Sequence, residues 1–452
     1  MTPLHRLAAA LPDRVRRDPD ELAAFAGDES ICEPVLPAAV VLARDEADVV
    51  ATLRWATAHG VPVTPRGGGS GKAGGCIPSV GGVVLDLTGL SSIGAVRPVD
   101  GWAEAGAGVV TADFKEAAAE AGRWYAPDPG ALGWSTLGGN VATNAGGPVA
   151  LRYGVTGDHV LGVRAVLADG RVVDTGRRQP KGVAGYDLRG LLVGSEGTLG
   201  VITQVRLALL PRPREVVAAW VFFESVDDAA AAVVEGAGSG LRPRALELFD
   251  GVALARMQRA PRFPGDPAGA LLLVEFDGEP GQPARDLAAF AEGLAASPTS
   301  VRIATGEDRD VLWALRREAS RLVKDGAAGW VSEDIAVPLG AIPATLRRVR
   351  EIGEEHGVIA LAYGHAGDGN LHVNVLWEDA SGAERAPAAV AAVVDAALDV
   401  GGTITGEHGV GLAKRAFLRR EVGDAQLAVM RAVKRAWDPA GILNPGKVLP
   451  PG

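Results

Sequence analysis

Glycine crowds into three short stretches of the first half of the chain, and this limits the fold more than any other feature. The stretches are PRGGGSGKAGG at 65–75, PDPGALGWSTLGGNVATNAGG at 127–147 and VGSEGTLG at 193–200. Segments this rich in glycine and proline read as loops, because glycine loses the most backbone entropy in regular structure. Inside a folded domain such loops usually wrap a ligand. Residues 69–74 satisfy GxGxxG, but a dinucleotide fingerprint must open a helix. Here GCIPSVGG follows, and Pro78 among glycines cannot propagate one. A P-loop fails too, since its first glycine falls on Arg66 and Ala73 replaces the magnesium-binding Ser/Thr. What remains is a nest of backbone N–H groups beside Arg66, able to hold an anion; a plain surface turn is the alternative. Taken together, the three loops imply a long, extended ligand carrying a diphosphate.

The chain has 452 residues, which suggests two domains or one domain with another inserted. A net charge of −10 argues against nucleic acid or an anionic membrane as partner. The two cysteines, Cys32 and Cys76, cannot build a disulfide framework or a cluster site and point to a reducing compartment. The N-terminus lacks the pattern of a secretory signal, and no run approaches the ~18 apolar residues of a transmembrane helix. A cytoplasmic location without direct membrane insertion is therefore expected. DEADVVATLRWATAH at 45–59 predicts a helix stopped by Gly60, and TADFKEAAAEAG at 111–122 a second. LGVRAVLADGRVVDTG at 161–176 predicts a hairpin turning at Asp169-Gly170. LPRPRE at 210–215 reads as a linker. Beyond it, strand-like runs (AAWVFF, LLLVEF, GVIALAYG, LHVNVLW) alternate with alanine-rich helices. That predicts an antiparallel sheet with helices on one face. The last fifty residues return to glycine-rich turns.

The chemistry concentrates in YGHAGDGNLHVNV at 363–375 and TGEHGVG at 405–411. Two histidines bracket a tight turn, and a Glu-His pair sits on a second. Three of these side chains suit a divalent metal such as zinc, manganese or iron, and the fourth a general base. The alternatives are that the histidines merely cap a strand, or that the cluster serves a metallohydrolase.

The order PRGGGSGKAGG, STLGGNVATNAGG, GYDLRGLLVGSEGTLGVIT, GHAGDGNLHVN, TGEHGVG, NPGK resembles the FAD-linked 2-hydroxy-acid dehydrogenases of the vanillyl-alcohol-oxidase type. This family includes the flavin subunit of glycolate oxidase, D-lactate dehydrogenases and D-2-hydroxyglutarate dehydrogenase. The resemblance implies an α+β fold: an FAD-binding domain of the PCMH type over 1–212, an inserted cap domain of antiparallel sheet plus helices over 213–400, and a C-terminal segment, 401–452, returning to the first. It assigns Arg66, Gly67, Gly68, Gly69, Ser70 and Gly71 to the FAD pyrophosphate. The rest of the flavin falls to Pro129, Gly130, Ser135, Gly138, Gly139, Asn140, Thr143, Gly146 and Gly147, to Glu196, Gly197, Gly200, Val201 and Ile202, and to Asn444. Some relatives attach FAD through a histidine in the first loop; Ser70 stands there, so the resemblance implies non-covalent FAD.

It further implies that His365, His372 and Glu407 hold a divalent metal, that His408 is the general base, and that Arg316 clamps the substrate carboxylate. Ser320 and Asn374 match substrate-contacting positions, and guanidinium geometry suits the clamp better than an amine would. Where the hydroxyglutarate branch carries a lysine for the distal carboxylate, the loop WVSEDIAVP places Ser332 or Glu333. An acid there repels a second carboxylate and favours a monocarboxylate such as D-lactate or glycolate, with D-2-hydroxyglutarate as the alternative. The implied reaction passes electrons from the 2-hydroxy acid through FAD to an acceptor protein, cytochrome, quinone or iron–sulfur subunit. An alternative that the resemblance also implies is the flavin subunit of a multi-subunit glycolate oxidase.

Overall fold

The computed structural model describes residues 3–179, 181–260, 263 and 268–451. The chain divides into two compact units: Met1–Gly146 with Gly154–Arg212 and Glu407–Gly452, and Gly147–Tyr153 with Pro213–Gly406.

The first unit carries two sheets. In one, β1 (Val15–Arg16), β2 (Ala39–Leu42), β3 (Val63–Arg66) and β4 (Val83–Asp86) run in the order β1-β2-β4-β3. The pairs β2–β4 and β3–β4 are parallel, with β1 antiparallel at the edge. Helix α1 (Glu46–His59) covers this sheet through Val49, Leu53 and Ala56, one face at helical spacing. It begins where the Asp45 side chain accepts from Asp48 N–H and ends at Gly60 in the left-handed region (φ 62°). The other sheet has β5 (Trp102–Gly106), β6 (Val160–Val166), β7 (Val172–Gly176) and β8 (Val201–Ala208) in the antiparallel order β5-β8-β6-β7. The β6–β7 hairpin turns through Gly170 at φ 81°, as its Asp-Gly pair predicts.

Helix α2 (Thr111–Glu120) follows β5, as expected. The second glycine-rich stretch departs from expectation, because it contains a helix, α3 (Leu137–Thr143). The Thr136 side chain caps it, Leu137 and Val141 are buried on one side, and Asn144 closes it in the left-handed region at φ 58°. Cap, buried pair and stop outweigh the glycines' entropic cost.

The second unit is built on seven strands: β9 (Glu215–Phe223), β10 (Ala245–Phe249), β11 (Ala270–Gly278), β12 (Ser300–Ala304), β13 (Gly329–Ala336), β14 (Ile359–Gly364) and β15 (Asn370–Trp377). They lie in the order β12-β9-β11-β10-β14-β15-β13, every neighbouring pair antiparallel. Two expectations need correction. WVSEDIAVP is not a loop but the greater part of β13, paired along its length with β15; the consecutive polar residues Ser332, Glu333 and Asp334 in the middle of this edge strand interrupt its apolar pattern.

Helices also cover both faces of the sheet rather than one. On one face α4 (Val226–Gly238) and α5 (Gln282–Glu292) pack by way of Phe290, which meets Phe276. On the other, α6 (Gly306–Leu322) packs Trp313 toward Glu275, whose side chain points opposite to that of its neighbour Phe276. The reason is legible in β9 and β11, whose nearly unbroken apolar runs leave both faces to be buried. Residues 147–153 belong to this unit because Arg152 and Tyr153 grip the buried Asp277, at 2.7 and 2.8 Å.

Candidate functional site

In the first unit the glycine-rich loops pack on one another, and this dictates several glycines. A Cβ on Gly67 would strike the Thr136 hydroxyl, and one on Gly68 the Trp134 carbonyl. Gly69 adopts φ 75° beside the Arg66 guanidinium. Arg66 reaches the backbone of the preceding segment, donating to the Gly27 carbonyl at 2.6 Å and lying over the Phe25 ring. Gly138 rests against Ala107, and its N–H donates to that carbonyl at 2.9 Å. Ser135 and Asn140 form a small network on the Thr111 hydroxyl, at 2.9 and 2.8 Å. Gly139 donates its N–H to the Thr136 hydroxyl, Gly146 backs onto the Glu407 side chain, and Thr143 ends α3. Gly71 and Gly130 face little or nothing, while Val201 and Ile202 are buried in β8. Gly147 falls in the second unit.

Glu196 and Asn444 tie separate segments together. The Glu196 carboxylate accepts from Val410 N–H and Gly411 N–H, both at 2.8 Å, just past the Glu407-His408 pair. Burial pushes this carboxyl up to about 7, against the downward pull of those two N–H groups and of Lys447 and Lys414. The Asn444 amide donates to the carbonyls of Gly75 and Glu196, at 2.9 and 2.8 Å, joining the first and third loops. Its Oδ1 and the Ser195 hydroxyl are buried without a hydrogen-bond partner among the described residues. Buried acceptors and donors of this kind call for a polar ligand, and such a loop cradle fits an extended phosphate-bearing cofactor. Gly197 and Gly200 pack on Pro65 and Leu192. His408 Nε2 lies 3.9 Å from Glu407 Oε1.

In the second unit the turn between β14 and β15 brings the two histidines together, their ring centroids 5.1 Å apart. Both are buried. Sequence reasoning missed two acids here. Glu247, on β10 and fully buried, touches His365 Nδ1 with one oxygen and Arg316 Nε with the other, each at 2.5 Å. Burial alone would raise its pKa, but Arg316 and His365 outweigh that and hold it at about 2. Asp334, also fully buried, accepts from Asn370 at 2.6 Å and from the Thr405 hydroxyl at 3.0 Å, and stands 3.7 Å from His372 Nδ1. Gly406 N–H donates to its carbonyl, and the next residue along the chain is Glu407. No local signal exposes either acid, because their partners lie far away in sequence.

Arg316 projects from α6 with Arg309, Trp313 and Ser320 at helical spacing. Arg309 and Trp313 both bind the buried Glu275. The Arg316 guanidinium lies over Phe249 and Tyr363, 5.7 and 5.6 Å from their centroids. Ser320 accepts from Lys324 at 3.2 Å, and Asn374 accepts from Ser332 at 2.6 Å. The second unit thus gathers His365, His372, Asn374, Arg316 and Ser320 on one sheet and its covering helix. The donor set, two imidazoles of which one has its Nδ1 held by a carboxylate, fits a divalent cation.

The chain is similar to known proteins along most of its length. Residues 37–176 match the FAD binding domain, and residues 212–448 match the C-terminal domain of FAD linked oxidases. Glycolate oxidase subunit GlcD of Bacillus subtilis is 35% identical over 91% of this chain and 89% of its own. A D-lactate dehydrogenase of Archaeoglobus fulgidus is 37% identical over 91% of each. Among solved structures, p-cresol methylhydroxylase with substrate bound superposes with a TM-score of 0.80 at 18% identity, covering 99% of this chain and 96% of that one. The fold is therefore of the PCMH, or vanillyl-alcohol-oxidase, type. Matched in both halves, and sharing about a third of its residues with relatives along nine-tenths of its length, the chain belongs to the FAD-linked oxidases and is a flavoprotein oxidoreductase.

Proposed function

We propose that the chain oxidises a D-2-hydroxy acid, with D-lactate or glycolate favoured, to the 2-oxo acid. One observation carries this reading: the Arg316 guanidinium and the His365 imidazole are held on a single carboxylate, with the His372 ring 5.1 Å from that of His365. A cation for a carboxylate beside nitrogen ligands for a metal is what an α-hydroxy carboxylate requires. Relatives named glycolate oxidase subunit and D-lactate dehydrogenase support the substrate class.

In this reading His365, His372 and Glu407 would hold the divalent metal (zinc, manganese or iron), and the glycine-rich loops would hold FAD without a covalent bond. When bound, FAD supplies a two-electron hydride acceptor, and the metal supplies Lewis acidity that lowers the pKa of the substrate hydroxyl. Arg316 binds the substrate carboxylate through its terminal amines. His408 takes the hydroxyl proton as the C2 hydrogen departs with its electron pair. Asn374 and Ser320 orient the substrate. Of the two candidate positions on β13, Ser332 shares the sheet face of Asn374 and donates to its amide oxygen, whereas Glu333 points to the opposite face; an uncharged Ser332 where a second carboxylate would need a cation favours a monocarboxylate over D-2-hydroxyglutarate. Electrons leave to an acceptor protein, a cytochrome, a quinone or an iron–sulfur subunit. A cytoplasmic setting is part of the proposal and is supported by the unpaired Cys32 and Cys76; among the described residues no helix is long and apolar enough to cross a membrane.

A second reading, in which the chain is the flavin subunit of a multi-subunit oxidase, is favoured by the word subunit in the name of the Bacillus relative. Membership of an FAD-linked family displaces the metallohydrolase alternative. The test is anaerobic bleaching of the bound flavin by a panel of D- and L-2-hydroxy acids. D-isomers should bleach it; a panel that leaves the flavin oxidised throughout refutes the proposal.

A further inference from the structure

We propose that Glu247 is a positioning residue that aligns the metal-binding and substrate-binding arms of the site together; this rests on the function proposed above. Glu247 sits in mid-strand on β10, in the run ALELF, where every residue is buried. A carboxylate in such a place is costly unless both oxygens are satisfied. Its oxygens are divided: Oε1 meets His365 Nδ1 and Oε2 meets Arg316 Nε, both at 2.5 Å.

The division has a chemical consequence on each side. A carboxylate at Nδ1 selects the Nδ1–H tautomer of His365, the form in which a metal-bound imidazole backed by a carboxylate coordinates through Nε2. A carboxylate at Nε of Arg316 fixes the plane of the guanidinium edge-on. Its two terminal amines have no hydrogen-bond partner among the described residues and remain for a substrate carboxylate. The stacked rings of Phe249 and Tyr363, 5.9 Å apart and 3° from parallel, support the guanidinium from one side. Asp250, three residues on, accepts from Ala362 N–H on β14 at 2.6 Å and so fixes the strand that leads into His365. The segment from Glu247 to Asp250 therefore holds this stretch at two points, Ala362 within β14 and the imidazole just beyond its end. Neighbouring arginines cannot replace Arg316 in this role: Arg309 and Arg244 are both bound to Glu275.

The bridging role makes a joint prediction. In Glu247→Gln the side chain keeps its size, but one of its two ends becomes a donor facing a donor. On the holoenzyme, the affinity for Mn²⁺, measured by competition with a chromophoric chelator, should fall roughly 10–100-fold. The KM for D-lactate at saturating Mn²⁺ should rise at least about tenfold, the loss of one charge-assisted hydrogen bond, while flavin absorbance shows FAD still bound. Movement of only one of these two quantities, or of neither, overturns the bridging role. Wild-type protein provides a measurement that does not depend on how the variant folds. With ¹⁵N-labelled histidine and no metal added, His365 should appear as the Nδ1–H tautomer with a hydrogen-bonded proton, and the Nε2–H tautomer overturns the inference. Failure of the functional reading looks different: the wild-type enzyme itself then neither binds Mn²⁺ nor is reduced by any hydroxy acid.

Discussion

Replacing Lys434 with methionine should loosen the flavin-binding unit measurably. Lys434 lies in the last turn of the helix Arg415–Trp437. Its ammonium donates to the Asp438 carboxylate at 2.6 Å, the Thr198 carbonyl at 2.7 Å and the Leu443 carbonyl at 2.8 Å. Thr198 lies in the third glycine-rich loop, and Leu443 bridges to Val63 at the start of β3, the strand that leads into the first. One cation thus joins the C-terminal segment to the loop that would line the flavin. Methionine preserves the apolar stem and removes all three donors.

Three charge-assisted bonds at roughly 1.5–3 kcal/mol each would overstate the loss, because the ammonium's own burial cost is recovered. That cost is real, since burial draws the Lys434 pKa below its ordinary value despite Asp438. What remains is a fully buried Asp438 without its cation. Breaking one side of such a pair costs about 3–5 kcal/mol. Asp438 keeps the N–H groups of Ile442 and Leu443, at 3.2 and 2.8 Å, which places the effect near the low end. At ~2–4 °C per kcal/mol for a unit of this size, ~3 kcal/mol lowers Tm by roughly 6–12 °C. Flavin fluorescence released on heating reads it directly. A Lys434→Met melt within about 2 °C of wild type refutes the reasoning.

Gly68→Ala should reduce FAD content, since its Cβ meets a backbone carbonyl and overpacking costs about 1–3 kcal/mol, whereas Gly238→Ala, at the exposed end of α4 with nothing within 4 Å, should leave flavin loading unchanged; absorbance ratios of the purified proteins check both. Glu196 has a folded pKa raised to about 7, so its contribution to stability is full below its unfolded pKa and is lost as pH rises through about 7. The apoprotein Tm should therefore fall between pH 5 and pH 8 more steeply in wild type than in Glu196→Gln, as differential scanning calorimetry would report. Arg316→Lys removes the edge held by Glu247 and the bidentate fork, and should raise KM for D-lactate roughly 10–100-fold in steady-state assays.

How much of this could be seen in the sequence varied with how local its causes are. Helix α1 was legible because Asp45, the stripe of Val49, Leu53 and Ala56, and Gly60 all speak within sixteen residues. The β6–β7 hairpin was legible from Asp169-Gly170. Helix α3 was hidden by glycines at 138 and 139, although Thr136 and Asn144 were visible caps. Strand β13 was hidden because Ser332, Glu333 and Asp334 look like a polar loop until the pairing with β15 gives them partners. In the site, His365 and His372 announced themselves by their spacing. Glu247 and Asp334 did not, since what makes each acid tolerable in the interior is a group from another strand or helix. Arginine 316 was found by resemblance alone; only the fold shows which of its edges is already engaged.

The central proposal is that a metal and a flavin serve one substrate. Its most direct test is the anaerobic absorbance spectrum of the enzyme mixed with D-lactate before chelation, after chelation and after Mn²⁺ is restored. Bleaching that is lost on chelation and returns with the ion is the predicted result, with FAD bound throughout. A chelated, metal-free enzyme that D-lactate bleaches at the original rate contradicts it.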